Sequence, residues 1–355
     1  TPNHELDPKS LTKLIQKQRG KPSLETIKEL GGTDATEKAI GAALEWLARN
    51  QESDGRWDVK KHGGRGNYDT AGVGSALLCF YGWGMRHDQG GRYQDNVKRA
   101  LEWLLKQQKE NGDLRGGGRM YCHGIASIAL CEAYGVTKDP KLKEPAERAI
   151  KLILASQSLS KGGWRYDPAG KKGPNQDSDL SVTGWQYMAL HSARLAGLEV
   201  PEDSFVRARR YLTAVSSGKQ GGLYGYQAGS VNPTMVATGM FCRQLDLVPP
   251  TDPRMPEGAD YIGQRQMKVQ NPDFYYVYYA TLALYQHQGP AWKKWNDRLK
   301  ETLPLIQKKN GAERGSWDPG GGHGGTGGRV IATTLSVLSL EVYYRLLPMY
   351  GFRGN

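Results

Sequence analysis

The sequence predicts an all-α protein built from repeated helix pairs, and three observations carry that prediction. The first is the stretch Ala39 to Leu77. Its opening run, AIGAALEWLARNQ, sets Ile40, Ala43, Leu44 and Leu47 at the spacing of one buried helical face, and a Gly-rich loop then leads into a second apolar run, YDTAGVGSALLCFYG. The second observation is that loop, which carries Gln51, Gly55 and Trp57 in the order Q-x-x-x-G-x-W. The third is recurrence, because the same pattern returns, more or less worn, down to the C-terminus.

Taken in order, residues 1–33 precede the repeat and form a helical extension. LTKLIQKQ and LETIKEL read as two short amphipathic helices, separated by the breakers Gly20 and Pro22 and by Ser23 as an N-cap, and they are expected to pack on the outside of the array. Residues 34–355 read as one repeat domain. After the first copy, VKRALEWLLKQQ opens the second, Gly112-Asp113-Leu114 stands where G-x-W stood, and MYCHGIASIALCEAYG follows. The third has AERAIKLILASQ, Gly162-Gly163-Trp164, a long polar loop and LSVTGWQYMALHSARLAG. The fourth pairs FVRARRYLTAVSS with PTMVATGMFCRQL across GGLYGYQ; the fifth keeps only an aromatic second helix, FYYVYYATLALYQHQG. The sixth restores Gln307, Gly315 and Trp317, and Gly320 to Gly328 precede RVIATTLSVLSLEVYYRLL.

The two helices of a pair have different places. The second is small and apolar nearly all round and must be buried on both sides, whereas the first carries Lys, Glu and Arg on one face and must lie outside. A stack of such pairs shares one core, so 355 residues need no domain boundary. Cys79, Cys122, Cys131 and Cys242 sit in apolar runs without paired spacing, which predicts buried free thiols. A net charge of +12 and a pI near 9.4 favour a solvated basic surface or contact with something anionic. No apolar run reaches the roughly 18 residues of a membrane span, and Thr1 does not open a signal peptide. The compartment stays open; the expectation is a soluble domain, free or released from a membrane-anchored or exported precursor.

The signature at Gln51 to Trp57, loosened at Gln157 to Trp164 and Gln307 to Trp317, resembles the QW repeat of squalene and oxidosqualene cyclases and of protein prenyltransferase β subunits. The chain looks like the stand-alone single-toroid members of that prenyltransferase/squalene-oxidase repeat family in bacteria. The resemblance implies that the six pairs close into an α6/α6 toroid, a double-walled ring with the second helices inside. It also implies that each Gln caps neighbouring helix ends while each Trp stacks over its loop.

Ligands of such a ring are expected where the inner helices begin, because loops open there on the axis and helix N-termini present unpaired N–H groups. The register is counted back from Leu77, Leu130, Leu190, Leu245, Leu284 and Leu340. It gathers Asp69, Asp179, Asp273, Arg119, Arg329, His123 and the tyrosines Tyr121, Tyr275 and Tyr276 at one rim, with Asp177 and Trp185 close by. Each Asp taken alone reads as an ordinary N-cap; their concentration with aromatics and arginines marks the candidate site.

The resemblance offers a first chemistry, acid-catalysed isoprenoid cyclisation by the middle Asp of Asp-x-Asp-Asp-Thr. Asp177-Ser178-Asp179 resembles the start of that motif, but Leu180 replaces its last Asp and Ser181 occupies the acid's register, while Asp69-Thr70-Ala71 follows Tyr68 where the acid should stand. In this reading Asp179, Asp177, His123 and Tyr121 are the catalytic candidates, and Asp69, Arg119, Trp185, Asp273, Tyr275, Tyr276 and Arg329 bind the ligand. Prenyltransferases hold zinc through Asp-x-Cys; Met120 replaces the Asp before Cys122, so neither a metal nor another cofactor is expected. A second chemistry is that of toroidal polysaccharide lyases and hydrolases, in which Tyr or His moves a proton and Arg neutralises a uronate, with Tyr224 and Tyr226 as further loop aromatics. A third reading is a non-catalytic interaction module. The expected partner is a small hydrophobic or glycan ligand, with an anionic surface as an alternative, no nucleic acid, and a monomeric chain.

Overall fold

The computed structural model describes residues 21–168, 177–322 and 324–345, so the leader helix expected at 11–18 lies outside the described residues. The second leader helix is present as α1 (Leu24–Glu29), opened by Ser23 as N-cap. It packs against the outer wall: Ile27 is buried, and Asn296 of the outer helix Gly289–Ile306 donates to the Gly31 carbonyl at 3.0 Å.

Six helix pairs follow. The outer members are α2 (Asp34–Arg49), α4 (Gln94–Gln107), α6 (Pro140–Ala155), α8 (Glu202–Ala214), α10 (Arg254–Gln264) and α12 (Gly289–Ile306). Their inner partners are α3 (Asp69–Gly82), α5 (Met120–Thr137), α7 (Leu180–Ala196), α9 (Pro233–Leu245), α11 (Phe274–His287) and α13 (Gly324–Leu340), followed by a short α14 (Val342–Arg345). Among the described residues the strand content is one antiparallel pair in the fourth loop, β1 (Ser216–Ser217) with β2 (Leu223–Tyr224). Inner helices pack in sequence, α3 on α5 through to α11 on α13, and α13 returns to α3 while α12 meets α2. The ring is closed.

Composition explains the two walls. The inner helices bury almost their whole circumference, and small residues let them approach: a Cβ on Gly74 would lie 3.0 Å from the Ala126 backbone, and one on Gly184 would meet Thr238. The outer helices are amphipathic, with faces such as Ile40, Ala43, Leu44 and Leu47 turned inward. All four cysteines are buried free thiols, as their setting predicts.

The loop motif is the joint between pairs, and its geometry differs from the capping scheme the resemblance implies. Here the Trp caps a helix end: the indoles of Trp57, Trp164 and Trp317 donate to Leu47, Ile153 and Leu303 carbonyls at 2.8, 2.7 and 2.9 Å, in the last turn of their own outer helices. The Gln joins one pair to the next. The amide of Gln51 donates to Gly55 O and to Asn96 O, both at 2.9 Å, and Gln157 repeats this with Gly162 O and Ser204 O. Its oxygen accepts from an arginine of the following outer helix, Arg99 for Gln51 and Arg207 for Gln157. The Gly lies against that same helix: a Cβ on Gly55, Gly112, Gly162 or Gly315 would sit 2.1 to 2.2 Å from the carbonyl oxygen of Arg99, Arg148, Arg207 or Ala42, and each φ is positive. Gln307, donating to Ala39 O at 2.7 Å, applies the same joint between the last copy and the first and locks the ring.

Candidate ligand site at the loop-side mouth

Because every outer helix runs into a loop and every inner helix begins after it, all six loops and inner N-termini share one face of the ring. Asp179 is the best-defined group there. It is the N-cap of α7, fully buried, with Oδ1 accepting from the Val182 N–H at 2.9 Å and from the Ser181 hydroxyl, and Oδ2 accepting from Arg165 Nη1 at 3.0 Å. Burial raises its pKa above the ordinary carboxylate range, while Ser181, the Val182 N–H and Arg165 pull the other way.

A hydrogen-bonded band runs out from Asp179 on both sides. Ser181 meets the hydroxyl of Tyr121 at 2.5 Å, and its carbonyl accepts from Tyr275 at 3.1 Å. Arg165 reaches the Tyr226 hydroxyl at 2.8 Å, and Tyr226 meets Tyr166, hydroxyl to hydroxyl. The rings of Tyr121 and Tyr166 are 5.9 Å apart, and the guanidinium of Arg165 lies over both Tyr166 and Tyr226. Tyr68, Tyr121, Tyr166 and Tyr226 are each half-buried and so give the mouth its open aromatic surface. Burial raises the phenol pKa of Tyr68, Tyr121 and Tyr226, which keeps them neutral donors and acceptors.

Arg165 and Tyr166 were missed by sequence reasoning, although they directly follow Trp164 of the motif. The register count looked only along the inner helices.

Other predicted residues stay at separate stations of the rim. Asp69 binds the Val59 N–H and Arg56 Nη1 at 3.0 and 2.8 Å; Asp273 caps α11 through the Tyr276 N–H at 3.1 Å and lies 3.7 Å from Arg265. Arg329 is held by Asp318 at 2.6 Å and Glu313 at 2.9 Å, Arg119 pairs with Asp167 at 2.7 Å, and exposed Asp177 accepts from Gln227.

Four expectations are corrected by burial. His123 does not reach the rim: it is buried in the wall, where Nδ1 accepts the Leu114 N–H at 3.1 Å and Nε2 donates to Ala149 O at 3.0 Å. With Nδ1 committed as an acceptor it is neutral, and burial lowers its pKa to about 4. Tyr276 turns outward, its hydroxyl donating to Ile262 O at 3.0 Å and its ring meeting Trp295 edge-on. Trp185 is 2% exposed and stacks on Tyr278 at 5.6 Å, with Tyr275 and Tyr279 around it, so these rings fill the space between α7 and α11 instead of lining an open surface. Tyr224 is buried against Gly239. Among the described residues no three His, Cys, Asp or Glu side chains converge as metal ligands.

No protein-family model matches the chain, and no curated protein matches it. Solved structures do. The alpha-1,6-mannanase of Salegentibacter sp., described as an inactive variant in complex with alpha-1,6-mannotriose, superposes with a TM-score of 0.61 at 13% identity, covering 88% of this chain and 99% of that one. The type II terpene cyclase MstE from Scytonema, in complex with merosterolic acid A, gives 0.56 at 15%, covering 92% and 100%. An alpha-amylase from Clostridium perfringens gives 0.58 at 11%, covering 86% and 98%. At such identities the likeness is one of fold, and the fold is the α/α toroid.

Proposed function

We propose that the loop-side mouth is a carbohydrate-binding surface, and that the chain acts as a glycan-recognition toroid. One observation carries this reading: the aromatic rings inside the ring are packed on one another, while the aromatic surface left half-open at the mouth is phenolic and interleaved with arginine. A phenol presents a flat apolar face for a sugar ring and a hydroxyl for its polar edge, and a guanidinium adds fixed donors. An isoprenoid needs an open apolar cavity instead. Two of the similar folds, the mannanase and the amylase, belong to sugar-active proteins, which agrees with the reading without deciding it.

Recognition is favoured over hydrolysis by the state of the carboxylates. Glycoside hydrolysis uses two carboxyl groups flanking the scissile bond. The described rim carboxylates Asp69, Asp167, Asp179, Asp273 and Asp318 are each engaged by an arginine at separate stations of the rim, so they do not stand as a free pair across one opening.

Isothermal titration with a neutral oligosaccharide, a uronic-acid oligosaccharide and a C20 isoprenoid alcohol tests the proposal. Oligosaccharide binding should weaken about tenfold or more in Tyr166→Ala or Tyr226→Ala, as loss of a contact worth about 1.4 kcal/mol predicts. Binding of the isoprenoid alone, unmoved by either variant, would overturn it.

A cyclase-like reading retains one supporting observation, the upward push that burial gives Asp179. It requires that Asp179→Asn, which keeps a capping oxygen, abolish isoprenoid turnover in a folded protein. Turnover preserved in that variant would remove Asp179 as the acid.

A further inference from the structure

We infer that Asp167 is an internal stand-in for a ligand carboxylate, and that the glycan taken at the mouth is a uronic-acid glycan whose carboxylate is held by Arg115 and Arg119. The inference rests on the carbohydrate reading and narrows it to one charge class.

The two arginines are prepared differently. Arg115 is fixed from beneath: Asp113, itself nearly buried, takes its Nε at 3.0 Å and its Nη2 at 2.9 Å, so the fork cannot swing away. Its Nη1 is left pointing at Asp167, 3.5 Å from Oδ1. Arg119, the N-cap of α5, places Nη1 2.7 Å from the other oxygen, and its guanidinium lies 5.7 Å from the Tyr166 ring. The two oxygens of one carboxylate therefore each face a different arginine, beside the half-open phenols of the mouth.

The occupant is replaceable. Asp167 and Arg119 are 52% and 53% exposed, and an ion pair in water at such exposure is weak. By contrast, Arg165 holds Asp179, which is fully buried and also caps α7, so a ligand could not displace that carboxylate without unmaking the helix start. A planar carboxylate carried on a sugar ring, with Tyr166 beneath the ring, would exchange for Asp167 while keeping both guanidinium contacts. Exchange of like for like costs little, and the sugar's stacking on Tyr166 is then gained.

The test titrates the full chain with trigalacturonate and with its carboxyl-reduced, neutral trisaccharide counterpart, at low and at high salt. Asp167→Asn, which removes the competing charge and keeps the shape, should tighten trigalacturonate about three- to tenfold and leave the neutral sugar unchanged; Arg119→Gln should weaken trigalacturonate about tenfold, and raised salt should weaken it in the unmodified chain. Both residues are surface-exposed, and circular dichroism checks that the variants remain folded. Equal binding of the two sugars with no response to Asp167→Asn would overturn the carboxylate inference and leave the carbohydrate reading standing. If neither sugar binds at either salt, the carbohydrate reading falls and the inference falls with it.

Discussion

The second and third repeats perform the same joint with different side chains. In the third, Trp164 is buried, its indole caps α6, its backbone N–H donates to Thr183 at 3.0 Å, and Gly162 abuts Arg207 O. In the second, Gln108 and Gly112 keep their places against Pro145 O and Arg148 O, but Leu114 fills the Trp position. His123 stands in the register of Thr183 and does what Thr183 does, accepting the Leu114 N–H, while its ring occupies wall space and bonds Ala149 O. The fifth repeat, which lacks the loop motif, finds another substitute: Tyr276, on the inner helix, donates to Ile262 O, the same last-turn station that an indole caps elsewhere. The second repeat keeps the close approach of loop to helix without an indole cap, and the fifth keeps a last-turn cap without the loop motif. The residue that supplies the aromatic body is free to move between loop and inner helix.

The backbone contact should therefore be the least replaceable part. Gly162→Ala places a methyl group about 2 Å from a carbonyl oxygen at a left-handed φ, and should cost at least about 3 kcal/mol in urea unfolding. Gly229→Ala has the same sign of φ, 96°, and no neighbour within 4 Å, so it should cost only about 1 kcal/mol. Equal costs would show that φ and not the approach of loop to helix sets the requirement.

Converting the second repeat to the pattern of the third sharpens the comparison. Leu114→Trp alone should destabilise by about 1–3 kcal/mol, because the His123 ring already fills the wall. His123→Thr alone opens a void and removes the imidazole's bond to Ala149 O, costing about 2–3 kcal/mol. The double variant, with Trp and Thr placed as Trp164 and Thr183 are, should recover at least about 1 kcal/mol of the summed loss. Strict additivity in thermal or urea melts would show that the two positions do not share one space.

Acid exposes the same substitution through pH. His123 is held near pKa 4 by burial and titrates near 6.5 when unfolded, so the unfolded chain binds the proton first. Its stabilisation is complete above about pH 6.5 and is lost as pH falls toward 4, on the order of 3 kcal/mol. His191, lowered to about 3 by burial, adds a loss with the same sign. His123→Thr should therefore flatten, without abolishing, the fall in stability between pH 6.5 and 4. An unchanged slope would mean that folding does not shift the His123 pKa.

These substitutions also explain what was legible in the sequence. The helix pairs and the Gln, Gly and Trp joints were, since periodicity and a fixed motif depend on neighbours along the chain. Closure was not, because no local pattern encodes Gln307 meeting Ala39; it came only from resemblance. At the mouth, counting along the inner helices reached Asp179 and Tyr121, and it also reached Tyr275, which is buried against Trp185. It could not tell which way a side chain turns. One residue is about 100° of rotation, which sends Tyr276 to the outer wall while Tyr275 stays inside, and two residues separate half-open Tyr121 from buried His123. Arg165 and Tyr166 lay in a loop with no period to count. An Arg-Ala step in three outer helices, Arg99, Arg148 and Arg207, was visible and unused, though each arginine donates to the Gln of the preceding loop.

The smallest expected effect concerns the fifth repeat. Tyr276→Phe keeps the ring against Trp295 and removes only the hydroxyl that donates to Ile262 O, so it isolates the capping bond from the packing that accompanies it in every Trp. A buried hydrogen bond of this kind contributes about 1 kcal/mol net, and an acceptor left dry costs somewhat more. Ile262 is fully buried, yet Tyr276 also lies near Arg265, whose guanidinium sits over the ring and is partly exposed to water. Water entering beside Arg265 would soften the loss, so the expected cost is about 1 kcal/mol, read as a shift of the urea midpoint at unchanged slope. Trp164→Phe removes the equivalent bond together with part of a larger ring and should cost about 2–3 kcal/mol. If Tyr276→Phe matched it, the fifth repeat would depend on its cap as heavily as the repeats that kept the motif; if Tyr276→Phe were silent, Tyr276 would be a packing residue alone, and the fifth joint would be held without any cap.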